Sequence, residues 1–461
     1  MFSLRSGIYA ILPVIILVGE QRMMRYILTL AACLSMLAGM AGASPDPLKD
    51  PKYCGSCHQR IYKEWASSRM GQDLENPIVY QFYTGTNPEG KKDGLGFQPF
   101  THGAKGDCAD CHVPELVLDE HAKGREVDLG QVMREKLDHG ISCNFCHTVA
   151  KVNIRQDKDG RYHTRIFETV VRDTNGAKHG PFADAQPPAH PTTQDALIRS
   201  SELCATCHLN QEKFLSISTY DDWKKAYAEG KTDKTCQECH MPLNEEPVLL
   251  ADTVTDRPRR NGTRAHTFIG AHDQGMLRKA LSLEVKPVVE GGKLVVNTMV
   301  ENVGAGHKVP GSGPIRNVIL KIDVLDANGK PLKYVGDKRG LLPPLAGFGN
   351  PKTKQRDAND WAGMPGKMYA KVYRSKPIPK MGNKPMVGVG GFAADALVFD
   401  TALRPREPNH GKFIFQLPPT GTKGITVKAR LVYRDAFKPL SDRKHWKLAQ
   451  RDMVARTITL D

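Results

Sequence analysis

Cysteine is scarce outside one arrangement. The 461-residue chain has eleven, and ten of them form five Cys-x-x-Cys pairs. Beyond residue 43 none stands outside a pair. This excludes the disulfide scaffold of a small secreted domain, for which the chain is several times too long, and it excludes a cytosolic thiol enzyme. Long apolar runs are missing too: Gly7 to Gly19 falls short of the roughly 20 residues that a membrane-spanning helix needs. Charged residues are 25% of the chain and hydrophobic ones 40%, so it can bury a core and is not disordered as a whole. At about 150 residues per domain, the length allows two or three domains.

What is present begins with an export signal. Arg25 precedes the apolar run Tyr26 to Met40, and Ala41-Gly42-Ala43 before Ser44-Pro45 offers a small-x-small cleavage site near Ala43. Residues 1–43 are expected to be removed, with the earlier apolar run as an upstream extension and Met23 or Met24 as the working start. Leu30-Ala31-Ala32-Cys33 offers a second reading as a lipobox, in which Cys33 is acylated. On either reading the protein crosses the inner membrane and works in the periplasm or outside the cell.

Every cysteine pair is followed by histidine. The five copies are Cys54-Gly-Ser-Cys57-His58, Cys108-Ala-Asp-Cys111-His112, Cys143-Asn-Phe-Cys146-His147, Cys204-Ala-Thr-Cys207-His208 and Cys236-Gln-Glu-Cys239-His240. Cysteines at i and i+3 lie on one face of a helical turn, so both sulfurs can form thioethers to one porphyrin while the next imidazole reaches the iron. Zinc needs four ligands per ion and gives no reason for a histidine after each pair. A redox dithiol needs one pair, not five. The pattern predicts five covalently attached haem c groups with His58, His112, His147, His208 and His240 as proximal ligands. Eleven of the sixteen histidines remain as candidates for the sixth position: His102, His121, His139, His163, His179, His190, His266, His272, His307, His410 and His445.

The first motif runs on as Cys57-His58-x-x-x-Tyr62-x-x-Trp65-x-x-Ser68-x-Met70, then Asn76-Pro77. Further along stand Gly180-Pro181-Phe182-x-Asp184-Ala185, His190, Tyr220-x-x-Trp223, His240-Met241-Pro242 and His266-x-Phe268-x-Gly270. Over roughly residues 50 to 330 the sequence resembles the cytochrome c-554 family of multihaem c-type cytochromes, relatives of the haem domains of hydroxylamine oxidoreductase. The resemblance implies His190 and His266 as distal ligands to haems distant in sequence, with His121 and His139 as further candidates. Where this chain has Met70 the family carries His or Met. Met70 either binds iron, which raises that haem's potential, or packs on a porphyrin face.

The cysteines also divide the chain. Residues 44–270 hold every motif and read as a mainly helical and irregular multihaem cytochrome domain, with helical patterns at Tyr62 to Met70 and Ala122 to Leu137 and stacked porphyrins supplying much of the core. Residues 271–461 read as an all-β domain. Ala280 to Val289, Gly291-Gly292 and Lys293 to Val303 make a hairpin, and strands are expected at Asn317 to Leu325, Lys412 to Leu417, Gly424 to Tyr433 and Val454 to Leu460. The predicted architecture is an immunoglobulin-like sandwich with a basic, loop-rich insertion at about 335–410. The loop Gly304-Ala305-Gly306-His307-Lys308-x-Pro310 resembles an element that follows the haem domain in related cytochromes. Its glycines would let His307 approach a porphyrin and fasten the two domains together.

Asn350 to Pro385 shows no clear periodicity and carries Lys352, Lys354, Arg356, Lys367, Lys371, Arg374, Lys376, Lys380 and Lys384 against Asp357 and Asp360. It is either a solvated insertion or a docking patch for an acidic redox partner. The chain as a whole carries +15, and removing Arg5, Arg22, Arg25 and Glu20 leaves +13. Five haems with their propionates lower this to about +8 oxidised and about +3 reduced, so the basic excess says nothing of nucleic acid. The expected function is electron transfer along a row of haems, between partners such as quinol-linked membrane cytochromes and a terminal reductase. Two other readings stand beside it: an oxidoreductase with one open haem acting on a small nitrogen or sulfur compound, and a subunit of an extracellular cytochrome filament. No motif has lysine in place of its histidine, unlike the site of pentahaem nitrite reductases.

Overall fold

The computed structural model describes residues 46–160, 162, 165–209, 217–311, 313–350, 353, 355–378 and 382–461. The expected export signal with Cys33 and Ala43, and also His163, Lys352, Lys354 and Lys380, lie outside them. The chain divides after Pro47, and Leu48 to Asp461 form one compact unit.

Short helices carry the cysteine motifs. Pro51–Gly55 bears Cys54, and Cys108–His112, Cys143–Thr148, Glu202–His208 and Cys236–His240 bear the other four. Each is one or two turns long, too short to be stable alone, and is fixed at its start by a local cap in three cases. The Asp50 carboxylate accepts from Lys52 N–H, Ser142 Oγ accepts from Phe145 N–H, and Thr235 with Glu238 forms a reciprocal capping box. Of the helix expected over Ala122 to Leu137 only Leu129–Glu135 forms, started by the Asp128 side chain as its cap. The residues before it turn away from a separate helix, Pro114–His121, with Gly124 at a φ of 69°. The helix expected over Tyr62 to Met70 runs from Gln59 to Ser67. Nor is this half without a side-chain core: Tyr83, Phe97, Val113, Val117, Leu129, Phe145 and Ile166 are buried together.

Four short strands lie among the helices. β1 (Val149–Val152) pairs antiparallel with β2 (Val170–Arg172), and β3 (Lys178–Gly180) runs parallel to β4 (Thr192–Gln194). Then come β5 (Leu281–Glu290), β6 (Lys293–Asn302), β7 (Asn317–Leu325), β8 (Gly366–Ser375), β9 (Ala394–Asp400), β10 (Pro408–Gln416), β11 (Thr426–Arg434) and β12 (Gln450–Thr459). They form two antiparallel sheets, ordered β10-β6-β5 and β12-β11-β7-β8-β9. The β5-β6 hairpin turns at Gly291-Gly292, where both residues have positive φ. Leu283, Leu294 and Val296 of the smaller sheet meet Leu320, Ile322, Val427 and Leu431 of the larger in one core with Phe413 and Phe415.

The stretch expected as aperiodic insertion holds an internal strand of the larger sheet. β8 lies between β7 and β9 and is covered on both sides, Tyr369 facing the core between the sheets and Met368, Ala370 and Val372 facing a second core on the outer surface. A strand buried on both faces does not alternate polar with apolar, which is why its period is hidden in the sequence. That second core also takes Leu95, with Phe82 and Phe100 packed against it. The segment containing these residues ties the motif-bearing half to the sheets. Phe82 meets Phe392 and Trp446 edge-on, with ring centres 5.3 and 4.8 Å apart, and the fully buried Lys444 Nζ lies 2.9 Å from Asp93.

Candidate haem sites

Three motif histidines each face a second imidazole from far along the chain. The ring centres of His58 and His190 are 6.4 Å apart, those of His147 and His266 are 6.3 Å apart, and those of His240 and His307 are 6.3 Å apart. These rings are too distant to touch. An imidazole nitrogen binds a metal at about 2.0 Å and sits roughly 1.2 Å from its ring centre, so two imidazoles on opposite sides of one ion have centres about 6.3 Å apart. The spacing fits a six-coordinate haem iron in each gap, with Cys54 and Cys57, Cys143 and Cys146, and Cys236 and Cys239 beside it for thioether attachment.

Hydrogen bonds at the other ring nitrogen fix which nitrogen faces the gap. His58 Nδ1 donates to Leu250 O at 2.7 Å, His147 Nδ1 to His179 O at 2.7 Å, and His240 Nδ1 to Ile269 O at 2.6 Å. Opposite them, His190, His266 and His307 donate Nδ1 to the carbonyls of Pro191, Arg264 and Lys308. A carbonyl can only accept, so all six Nε2 atoms carry the lone pair that a metal requires. Burial favours the neutral form of four of the rings: it lowers His147 and His190 and holds His266 and His307 down at about 4. His208 is likewise held at about 4 by burial.

Local structure places the second member of each pair. His266 follows Arg264 and Ala265, and its backbone N–H donates to Glu64 Oε2 at 2.9 Å, a carboxylate that also accepts from Arg60 at 2.6 Å. His307 sits on the loop after β6. Buried Asn302 braces that loop, its Nδ2 donating to His307 O at 2.8 Å and its Oδ1 accepting from Ala305 N–H at 3.0 Å. A Cβ on Gly304 would lie 2.0 Å from Lys279 O, and one on Gly311 would lie 3.0 Å from the His307 ring, so these glycines relieve contacts within the protein.

The other candidates are placed as follows. His121 is exposed and stacks on Phe167, with ring centres 3.7 Å apart. His139 is exposed, its Nε2 3.8 Å from Asp50. Met70 is half-buried in the turn after the helix Gln59–Ser67. Among the described residues, no ring contact brings His121 or His139 onto a motif histidine. His112 is distinguished by its partner, since its Nδ1 lies 2.5 Å from Asp73 Oδ2. Burial works against charge on His112, but the Asp73 carboxylate outweighs it and raises the pKa.

Cysteines of different motifs are neighbours, which orders the five sites in space. Cys143 lies close to Cys54, Cys111 to Cys207, and Cys204 to Cys236. Cys146 lies within electrostatic reach of Cys204 and Cys207. Cys236 N–H also donates to Ser201 Oγ at 3.0 Å, joining the last two motifs through the backbone. The order is first, third, fourth, fifth, with the second branching from the fourth.

Among the described residues, the basic side chains of 350–385 have different surroundings. Arg356 donates to Ala362 O at 2.6 Å, and Lys367 ties β8 to β10 through Asn409 at 3.1 Å. Arg374, Lys376 and Lys384 are exposed. Lys371 lines a small cleft with Lys308, Arg316, Asp222 and Asp400, and Lys308 pairs there with Asp400 at 2.8 Å.

No described protein family and no curated protein matches the chain. Among solved structures it is similar to a penta-heme cytochrome c552 from Thermochromatium tepidum, at 18% identity and a TM-score of 0.60, covering 90% of this chain and 100% of that one. A mutant of Streptococcus suis SadP overlaps 41% of this chain at a TM-score of 0.17, too low to bear on the fold. The chain thus shares the fold of a penta-haem cytochrome c.

Proposed function

We propose that the protein is an exported multihaem c-type cytochrome of the cytochrome c-554 kind, holding five haem c groups and transferring single electrons in a respiratory or other redox pathway. The observation that carries this reading is the set of three imidazole pairs at iron-spanning distance, each using one Cys-x-x-Cys-His histidine. Bound haem iron supplies reversible one-electron exchange. The chain's own residues do the rest. The cysteines anchor, His190, His266 and His307 complete the ligation opposite His58, His147 and His240, and carbonyl acceptors lock each ring. The contacts among cysteines support close spacing from the first motif to the fifth, with a side branch at the second.

The exposed Arg374, Lys376 and Lys384 support docking of an acidic redox partner, whereas in the cleft of Lys308, Arg316 and Lys371 the carboxylates of Asp222 and Asp400 offset the basic charge. The strand order β10-β6-β5 against β12-β11-β7-β8-β9 supports an immunoglobulin-like reading of the sheets, with β8 and β9 as the two strands added to one sheet. Electron paramagnetic resonance of the oxidised holoprotein with a redox titration tests the proposal. Five irons per chain are expected, at least three of them low-spin and indifferent to nitrite, hydroxylamine and carbon monoxide. Fewer than three low-spin haems contradicts the ligand pairs. Turnover of one of those compounds would replace the carrier with an oxidoreductase.

A further inference from the structure

Four motif histidines have a described partner at Nδ1, and they are not alike. His58, His147 and His240 donate to neutral backbone carbonyls. His112 donates to a carboxylate, Asp73 Oδ2, at 2.5 Å. The pair is shielded from water, with Asp73 15% exposed and His112 29% exposed, so the charge of Asp73 is less screened than that of a surface carboxylate.

The carboxylate is also held in place. Asp73 opens the short 3-10 turn Asp73–Glu75, closed by the hydrogen bond from Asn76 N–H to Asp73 O at 3.1 Å. Leu74, the next residue, packs against the core of this half and against Gly140. The turn therefore cannot swing Asp73 away from the ring without exposing Leu74.

We infer that Asp73 is a positioning residue that makes the haem of the second motif the one with the most strongly electron-donating proximal imidazole, and so lowers its potential relative to the haems held by carbonyl-bonded histidines. This rests on the haem reading of the motifs. Two effects act in the same direction. A hydrogen bond to an ionised acceptor is about twice as strong as one to a neutral acceptor, and it draws the Nδ1 proton toward the carboxylate, which makes the ring a better donor to iron. The negative charge itself favours ferric over ferrous iron. No proton need leave the ring.

The position gives the difference a direction. The second motif touches the rest of the row through Cys111 and Cys207 of the fourth motif. A low-potential haem at the tip of this branch passes electrons inward to the fourth motif and on toward the third or fifth. It makes the second motif the entry end.

The test compares the intact holoprotein with its Asp73→Asn and Asp73→Glu variants by spectroelectrochemical titration, with haem content measured on the same samples. Asn keeps a hydrogen-bond acceptor but removes the charge. The expected result is that one of five midpoints moves to more positive potential in Asp73→Asn, the other four stay, and Asp73→Glu restores most of the shift. Five haems with all midpoints unchanged in Asp73→Asn overturns the inference. So does a shift spread over several haems that Glu does not reverse, because that pattern marks a structural role. Wild-type protein that holds no haem at Cys108 and Cys111 by peptide mass would instead overturn the haem reading of that motif.

Discussion

Asn302 shows how a ligand position depends on a residue that no motif announces. It ends β6, is fully buried, and spends its amide on His307 O, Leu403 O and Ala305 N–H. Replacing it with Ala removes the side-chain partner of His307 O and of Ala305 N–H, while Leu403 O keeps Val309 N–H, at a cost of about 1–3 kcal/mol for each group left unpaired. Asn302→Ala is expected to lower the denaturation midpoint and to perturb the spectrum of one haem, whereas His307→Ala alters that spectrum with a smaller loss of stability. A His307→Ala spectrum identical to the wild type would remove His307 from the ligand set. The loop around His307 is legible in the sequence because glycines and histidine stand together. Asn302 is not, because an asparagine at a strand end reads as an ordinary turn residue. Asp73 is hidden for a similar reason, lying far from His112 in sequence.

At the scale of elements, local signals and buried ones part company. β7 is legible to the residue, Asn317 to Leu325, and the β5-β6 hairpin to within one residue, because Gly291-Gly292 marks the turn and one face of each strand is apolar. β8 is lost in a basic stretch because its two faces are both covered, and β9 beside it carries no readable period either. The contact that joins the two halves through Phe82, Phe100, Phe392 and Trp446 is equally invisible, since it links residues close to 300 positions apart or more. Its polar centre is Lys444, which donates to Thr86 O at 2.9 Å and Gln81 O at 3.2 Å and pairs with Asp93. Lys444→Met leaves Asp93 without its counter-charge and takes the lysine from Thr86 O, and breaking a buried pair in this way costs about 3–5 kcal/mol. Calorimetry of the holoprotein should show a correspondingly lower transition temperature. An unchanged transition would mean that this contact does not hold the halves together.

For the molecule as a whole, the five motifs announce the cofactor but not its arrangement. Sequence order runs from the first motif to the fifth, while contacts run first, third, fourth, fifth with the second at the side. Only folding brings His190, His266 and His307 opposite motifs that lie 132, 119 and 67 residues before them. The basic surplus is likewise reassigned by the fold: Lys367 and Arg356 brace backbone, and Lys371 joins Lys308 near the fifth motif. The central claim is that five irons sit on this chain, three of them between named imidazole pairs. An anomalous difference map from holoprotein crystals, collected at the iron absorption edge, tests it most directly. Five peaks are predicted, with one midway between His58 and His190, one between His147 and His266, and one between His240 and His307. An absent peak at any of those midpoints, or an iron bound there by another residue, would contradict the account.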